Sequence, residues 1–124
     1  MRGTRDNIVE QKSRSFAIRI VNLFKYLRDR RREDIMSRQV LRSGTSIGAN
    51  VFEGTYAQSK EDFVNKYSIA LKEANETRYW LQLLSDTGYL SATDATAQSL
   101  VEDCVELIRI LTASIRTAKQ KKGY

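Results

Sequence analysis

The side chains that could do chemistry in this chain are carboxylates, arginines and one cysteine, because its 124 residues include no histidine. Histidine is the commonest general base and transition-metal ligand, so Ser-His-Asp, Cys-His and zinc sites are impossible or nearly so. Glu53, Glu73 and Glu76 could suit a di-iron helical bundle, but such sites use Glu-x-x-His pairs. We therefore expect no catalytic residue, no metal and no cofactor, and predict that the protein is not an enzyme.

The glutamates have a structural interpretation instead. Glu73 and Glu76 are three residues apart and so share one face of a predicted helix. From that face they could pair with Arg42, Arg78 or Asn50 in a layer where the second and third helices meet. A hydrogen-bonded layer of this kind fixes the register of the helices. The predicted polar layer comprises Arg42, Asn50, Glu53, Glu73 and Glu76.

The basic residues are concentrated in the first third of the chain. Of the 21 Lys and Arg, 12 lie in residues 1–42, where only 5 of the 15 Asp and Glu are found. Such asymmetry favours an anionic partner, nucleic acid before membrane. The candidate phosphate-contacting residues are Arg28, Arg30, Arg31, Arg32 and Arg38. Cations at a helix end also complement the helix dipole, so a solvated helix end is the alternative interpretation.

Three glycines fall in the stretch LRSGTSIGANVFEG, residues 41–54. Gly44 and Gly54 share one helical face with apolar residues, and Gly48 lies beside that face. Glycine costs about 1 kcal/mol relative to alanine inside a helix, so these positions predict a close approach of another helix. We expect that helix to be the third, where Ala70 and Ala74 are small enough to meet the glycines.

Two other interpretations of this stretch are weaker. A phosphate-binding loop would end in Gly-Lys-Ser/Thr and follow a strand, and the stretch has neither feature. A helix-turn-helix DNA-binding regulator could place its turn among the small residues between 40 and 56. The apolar stripe runs through them without a phase break, however, and the chain is too short for the ligand-binding domain of tetracycline-type repressors.

Four amphipathic stretches account for most of the chain. It has no proline, and its 41% hydrophobic and 29% charged residues suit helices with one wet face. Apolar residues recur at steps of three and four over about 8–30, 35–56, 60–87 and 92–120. Ser59 and Asp62 predict a capped start of the third helix, and Gly88 is predicted to follow its end. Short connections predict an all-α fold, a single-domain up-down-up-down four-helix bundle over residues 1–124.

Several motifs carry a resemblance to a known family. R-S-G-x-S-I-x-x-N-x-x-E-G at 42–54, a following S-x-x-x-F helix start and an acidic helix leading into Y-W-L resemble the four-helix-bundle proteins encoded in intervening sequences of bacterial 23S ribosomal RNA genes. The resemblance extends from about Phe16 to the last helix. It implies a small all-α protein that forms a ring-like homo-pentamer, and it implies no established activity. The residues that match the family motif are Arg42, Asn50, Glu53, Gly54 and Glu76.

A more distant similarity is to the accessory protein of diversity-generating retroelements. That similarity implies pairing with a reverse transcriptase and nucleic-acid binding through a basic surface. Four aromatic residues off the predicted core stripes, Tyr26, Phe52, Tyr56 and Tyr79, are typical of subunit contacts. They favour self-association independently of the resemblance.

We therefore expect a non-enzymatic homo-oligomeric helical scaffold. Its basic surface, from helix 1 and the start of helix 2, would bind RNA, DNA or a nucleic-acid-associated protein. The alternative is a protein-binding adaptor with no nucleic-acid contact. Cys104 lies on an apolar helix face, and a single buried cysteine fits a reducing compartment. The chain has no apolar run long enough for a signal or a membrane span, so we expect a cytoplasmic protein with no membrane partner.

Overall fold

Four long helices make up most of the protein in the computed structural model, which describes residues 4–91 and 93–121. They are α1 (Thr4–Arg30), α2 (Met36–Thr55), α3 (Lys60–Asp86) and α4 (Ala95–Gln120). Each helix packs against the next along the chain and α4 packs against α1, while the diagonal pairs stay apart. The predicted all-α four-helix bundle is confirmed. Residues 1–3, 92 and 122–124, which the predicted domain includes, lie outside the described residues.

The first residues of α1 and α4 differ from the predicted ones by a few positions. α1 begins at Thr4 rather than near residue 8. α4 begins at Ala95 rather than near residue 92, because Asp94 caps it. One carboxylate oxygen of Asp94 accepts hydrogen bonds from the N–H groups of Thr96 at 2.7 Å and Ala97 at 3.4 Å. Such side-chain caps satisfy N–H groups that have no partner within the helix.

Both ends of α3 are as predicted. The N–H of Asp62 donates to Ser59 Oγ at 3.0 Å, which caps the first turn. At the other end Gly88 has φ of 86°, in the left-handed region that glycine adopts without strain. The N–H of Tyr89 can then reach back to the carbonyl of Leu84 at 2.9 Å. This reversal ends the helix and starts the connection to α4.

The apolar stripes of all four helices meet in one core. Their largest fully buried side chains include Phe16, Ile20, Ile47, Tyr67, Leu81 and Leu107. Cys104 belongs to this core, and its thiol donates to the carbonyl of Ala74 at 3.2 Å. Burial raises the pKa of Cys104 to about 12. The thiol is therefore neutral at physiological pH, and the burial predicted from its apolar helix face is confirmed.

The glycines of α2 allow close contact, but Gly44 and Gly48 do not face the helix that we predicted. A Cβ atom on Gly44 would lie 2.8 Å from Cγ2 of Ile20, and one on Gly48 would lie 3.3 Å from the carbonyl oxygen of Ser13. Both neighbours belong to α1. The prediction that these two glycines meet the small residues of the third helix is wrong.

Gly54 is the glycine that faces α3. A Cβ atom there would lie 2.7 Å from the ring of Tyr67, which is a core side chain. The physical reason for the difference is that a helix in a bundle touches two neighbours along one wide buried face. A three-and-four stripe identifies that face, but it does not indicate which neighbour each position meets.

Candidate nucleic-acid interface

The five arginines predicted to contact phosphate lie together at one end of the bundle, where α1 ends and α2 begins. We call this set the basic corner: Arg28, Arg30, Arg31, Arg32 and Arg38, all of them exposed. Because neighbouring helices are antiparallel, the end of α3 and the start of α4 are at the same end of the molecule. The connection between α1 and α2 therefore decides how these side chains are presented.

Glu33 organises that connection. Its side chain is buried, and its carboxylate accepts hydrogen bonds from the N–H groups of Ile35 at 3.1 Å, Met36 at 3.0 Å and Ser37 at 2.8 Å. Burial acts to raise the pKa of Glu33, but the three N–H donors outweigh it and hold the pKa below its usual value. Glu33 is thus an ionised cap for α2. Its carboxylate accepts hydrogen bonds from backbone N–H groups and does not pair with the arginines.

Arg32 makes the tight reversal before Glu33 possible. It has φ of 56°, in the left-handed region that few residues other than glycine adopt. With this turn the N–H of Glu33 reaches the carbonyl of Leu27 at 2.9 Å. Within the part of the chain that the structure describes, the side chains of Arg30 and Arg32 make no hydrogen bond or ion pair. They act on Asp29 only by longer-range attraction.

The other members of the basic corner have partners. Arg28 forms two hydrogen bonds with Asp29, at 2.7 and 3.1 Å, and its guanidinium lies 5.2 Å from the ring centre of Phe24. Arg38 pairs loosely with Asp34 at 3.6 Å. Both pairs are exposed, so they stabilise the fold little and can exchange for a phosphate.

Arg31 binds the chain itself. Its guanidinium donates to the carbonyls of Tyr89 at 2.8 Å and Gly88 at 3.1 Å, and it lies 5.3 Å from the centre of the Tyr89 ring. These contacts join the end of α1 to the connection between α3 and α4. Of the five predicted arginines, Arg31 is therefore the one whose loss would disturb the structure most.

The predicted polar layer forms in part, around Arg42. Its guanidinium donates to Glu73 at 3.0 Å and also to Glu76, across the contact between α2 and α3. Trp80 Nε1 donates to the same Glu76 carboxylate at 3.0 Å. The Trp80 bond, followed by the Arg42 bond, holds the pKa of Glu76 below its usual value.

Two buried hydroxyl groups, those of Ser43 and Thr77, also belong to this layer. Thr77 Oγ1 lies 2.9 Å from Ser43 Oγ and 2.8 Å from the carbonyl of Glu73. Thr77 keeps the step of the apolar stripe on α3, so its periodicity predicted burial but not a polar contact. Trp80 was missed because its indole N–H has no sequence signal beyond the residue type.

The other two predicted members, Asn50 and Glu53, do not contact Arg42, Glu73 or Glu76. Asn50 Nδ2 donates to the carbonyl of Ser46 at 2.9 Å in its own helix. Glu53 pairs with Lys66 of α3 at 2.9 Å, so it does bridge α2 and α3, but separately from Arg42. Including Asn50 in the layer was wrong, because a short polar side chain in a helix can bond the carbonyl four residues back and needs no other helix.

The aromatic residues off the core stripes are exposed, as their positions predicted. Phe52 and Tyr56 are 61% and 70% exposed and pack edge to face with ring centres 5.3 Å apart. Phe52 also forms one wall of a groove of about 690 Å³ between α1 and α2, whose floor includes the small residues Ser13, Gly48 and Ala49. A groove with small residues in its lining and exposed aromatic rings beside it is suited to packing against another protein surface.

Over residues 4–91 and 93–121 the structure contains no cluster of three or more side chains that could hold a metal ion. Nor, over the same residues, is any helix both long enough and apolar enough to cross a membrane.

The fold and this site define an all-α antiparallel bundle with an arginine-rich end and an Arg–Glu layer between its second and third helices. Comparison with known proteins gives the family. The chain belongs to the 23S rRNA-intervening sequence protein family, whose model matches residues 5–113. The resemblance inferred from the motifs at 42–54 and after them is confirmed.

A solved structure supports the same assignment. The chain is similar, at 50% sequence identity and a TM-score of 0.88, to a crystal structure from Bacteroides thetaiotaomicron described as a protein with unknown function from the S23 ribosomal protein family. The similarity covers 91% of this chain and 99% of that one. No curated protein matches the chain.

Proposed function

We propose that the protein is a non-enzymatic helical scaffold that associates with copies of itself and binds nucleic acid through the basic corner. The observation that supports nucleic-acid binding most directly is the state of the charges at that corner. Arg30 and Arg32 have no hydrogen-bonding partner among the described residues, while the three acidic residues nearest to them in sequence are already engaged. Glu33 binds backbone N–H groups, Asp29 binds Arg28, and Asp34 is paired with Arg38.

This arrangement leaves positive charge available at little structural cost. A phosphate bound by Arg30 and Arg32 displaces no bond within the protein. The exposed pairs of Arg28 and Arg38 can contribute further, because ion pairs in water have small stabilities. Contacts of this kind recognise the phosphate backbone rather than the base sequence. The resulting affinity falls as the salt concentration rises.

Self-association is supported by the exposed Phe52 and Tyr56 rings beside the α1–α2 groove. Covering them with a second copy would remove aromatic area from water. A closed assembly would also repeat the basic corner, so that several weak contacts act on one strand at high effective concentration. The homo-pentamer implied by the family resemblance is the assembly that we propose, located in the cytoplasm.

The test is binding of RNA and duplex DNA to the purified protein over a salt series. Log K should fall linearly with log salt, by about 0.9 per duplex phosphate neutralised and about 0.7 per single-strand phosphate. Replacing Arg30 and Arg32 together with Gln should weaken binding and reduce this slope, without changing the helical content or the assembly mass. Arg31 and Arg42 stay unchanged because each makes contacts within the fold.

The matched control replaces Arg109 and Arg116 with Gln. Both are exposed on α4, and neither makes a hydrogen bond or ion pair among the described residues, so the change in net charge is the same. Equal losses in both variants would contradict the location of the site, because only total charge would matter. If neither RNA nor DNA bound even at low salt, the proposal would be overturned. The alternative function, a protein-binding adaptor, would then remain.

A further inference from the structure

A second groove, of about 840 Å³, lies next to the basic corner between α1, the α3–α4 connection and the start of α4. We call it the end groove. Its floor is apolar, with Leu23, Leu90 and Leu100 each at most 9% exposed. Arg31 lines both the end groove and the basic corner, so the two surfaces are continuous. Asp94 also lines it, but its carboxylate caps α4.

Tyr26 offers a free aromatic ring at the side of this groove. It is 44% exposed, and within the described residues it makes no hydrogen bond and no ring contact. Tyr89 also lines the groove, where it is held by Arg31 through the ring contact and the hydrogen bond to its carbonyl. An apolar floor with aromatic rings and a guanidinium at its sides is the combination on which unpaired bases stack.

Tyr26 also lies near one of the two unpaired arginines of the basic corner. Tyr26 and Arg30 are four residues apart on α1, so their side chains are neighbours on one helical face. A base on the Tyr26 ring would therefore have its own phosphate within reach of Arg30. A duplex cannot use this site, because its bases are stacked on one another and their faces are covered.

We propose that the end groove takes an unpaired base of a single-stranded nucleic acid, stacked on Tyr26, while Arg30 and Arg32 hold the neighbouring phosphates. This inference rests on the proposed nucleic-acid binding and specifies its substrate class as single strand. Stacking is tolerant of base identity, so the site selects unpaired strands rather than a sequence.

The experiment compares three probes of equal length: an unstructured single-stranded RNA, its duplex, and a strand of abasic residues with the same number of phosphates. The intact strand should bind more tightly than the abasic strand by about 5- to 150-fold for each stacked base. It should also bind more tightly than the duplex at matched salt. Because charge is constant between the intact and abasic strands, this difference reports the contribution of the bases, and the Tyr26 variants then test how much of it is stacking.

Tyr26→Leu should remove most of that difference, lowering affinity for the intact strand and leaving the abasic strand unaffected. Tyr26→Phe keeps the ring and should bind like the unmodified protein. The matched control is Tyr79→Leu, which removes a 57% exposed tyrosine that does not line the end groove. Melting temperatures of the variants establish that they are folded.

The two proposals fail in different ways. Equal affinity for the intact and abasic strands would overturn base stacking. If the Gln substitutions at Arg30 and Arg32 still reduced that affinity, phosphate binding at the basic corner would remain supported. A loss from Tyr79→Leu as large as that from Tyr26→Leu would overturn the end groove as the site. Absence of binding to every probe at low salt would overturn both proposals.

Discussion

Glu33 links a single ionisable group to the shape of the basic corner. Its carboxylate accepts three backbone N–H groups at the start of α2, and those donors outweigh burial and hold its pKa below the usual value. The folded state binds the Glu33 proton more weakly than the unfolded chain does. The stabilisation that Glu33 gives the fold is therefore fully present above the unfolded pKa of about 4.3. That stabilisation is lost as the pH falls through the lowered, folded-state pKa.

We expect Glu33→Gln to lower the free energy of unfolding by about 1 to 2 kcal/mol at neutral pH, because an amide cannot replace both carboxylate oxygens as acceptors. Urea denaturation of the two proteins between neutral and acid pH measures the difference. It should shrink as the pH falls through the lowered pKa of Glu33. Glu61→Gln, an exposed change in the first turn of α3, is the control for loss of one carboxylate. A difference that is constant with pH would contradict the role of Glu33 as an ionised cap.

At the scale of helices, the contact between α1 and α2 depends on Gly44. A Cβ atom there would lie 2.8 and 2.9 Å from two carbons of Ile20, which is completely buried. Alanine gains about 1 kcal/mol in helix propensity over glycine, while overpacking a core costs about 1 to 3 kcal/mol. We therefore expect Gly44→Ala to destabilise the protein, by about 1 kcal/mol, in a thermal or urea melt.

A double-mutant cycle with Ile20→Ala separates these effects. Shortening Ile20 removes the carbons that the new methyl group would meet, so the double variant should lose less stability than the sum of the single variants. Additive losses would indicate that Gly44 and Ile20 are not in contact, and the packing of α2 on α1 described above would be wrong.

Much of the bundle follows from local sequence signals. The four helices and the caps at Ser59 and Gly88 were predicted because periodicity and capping depend on residues within a few positions of each other. The partners of individual residues were harder to predict. Gly44 lies on the predicted buried face, but a stripe does not distinguish α1 from α3 as the neighbour.

The candidate site shows the same limit. The cluster of arginines was visible in the sequence. Arg42 was one of three partners predicted for Glu73 and Glu76, and the helical faces alone did not distinguish it from Arg78 or Asn50. The contacts of Arg31 were not predictable, because they go to backbone carbonyls of Gly88 and Tyr89 and every residue has a carbonyl. The availability of Arg30 and Arg32 depends on where the neighbouring carboxylates are used, which only the folded connection decides.

For the whole molecule, the proposed self-association makes Phe52 the residue to change. Its ring is 61% exposed and forms a wall of the α1–α2 groove, so Phe52→Ser should weaken assembly while leaving each bundle folded. Light scattering should give a lower mass for this variant at the same concentration. Nucleic-acid affinity should fall with it, because fewer basic corners would act on one strand.

The control for this prediction is Tyr79→Ser, which removes an aromatic ring of similar exposure on α3. Tyr79 was also predicted to be a subunit-contact residue, but it lies outside the α1–α2 groove, so this variant should leave the mass unchanged if the groove is the contact surface. An unchanged mass for Phe52→Ser, or an equal fall in both variants, would contradict the α1–α2 groove as the contact surface.

Because Cys104 is the single cysteine of the chain, the protomers in an assembly can be counted by single-molecule fluorescence. Its buried thiol has a pKa of about 12, so maleimide dyes will leave it unmodified in the folded protein. A cysteine introduced at an exposed position such as Ser68 would then carry the dye alone, with the native thiol left in place. Each protomer would bear one fluorophore, and the number of photobleaching steps per particle would report directly how many copies assemble on a strand.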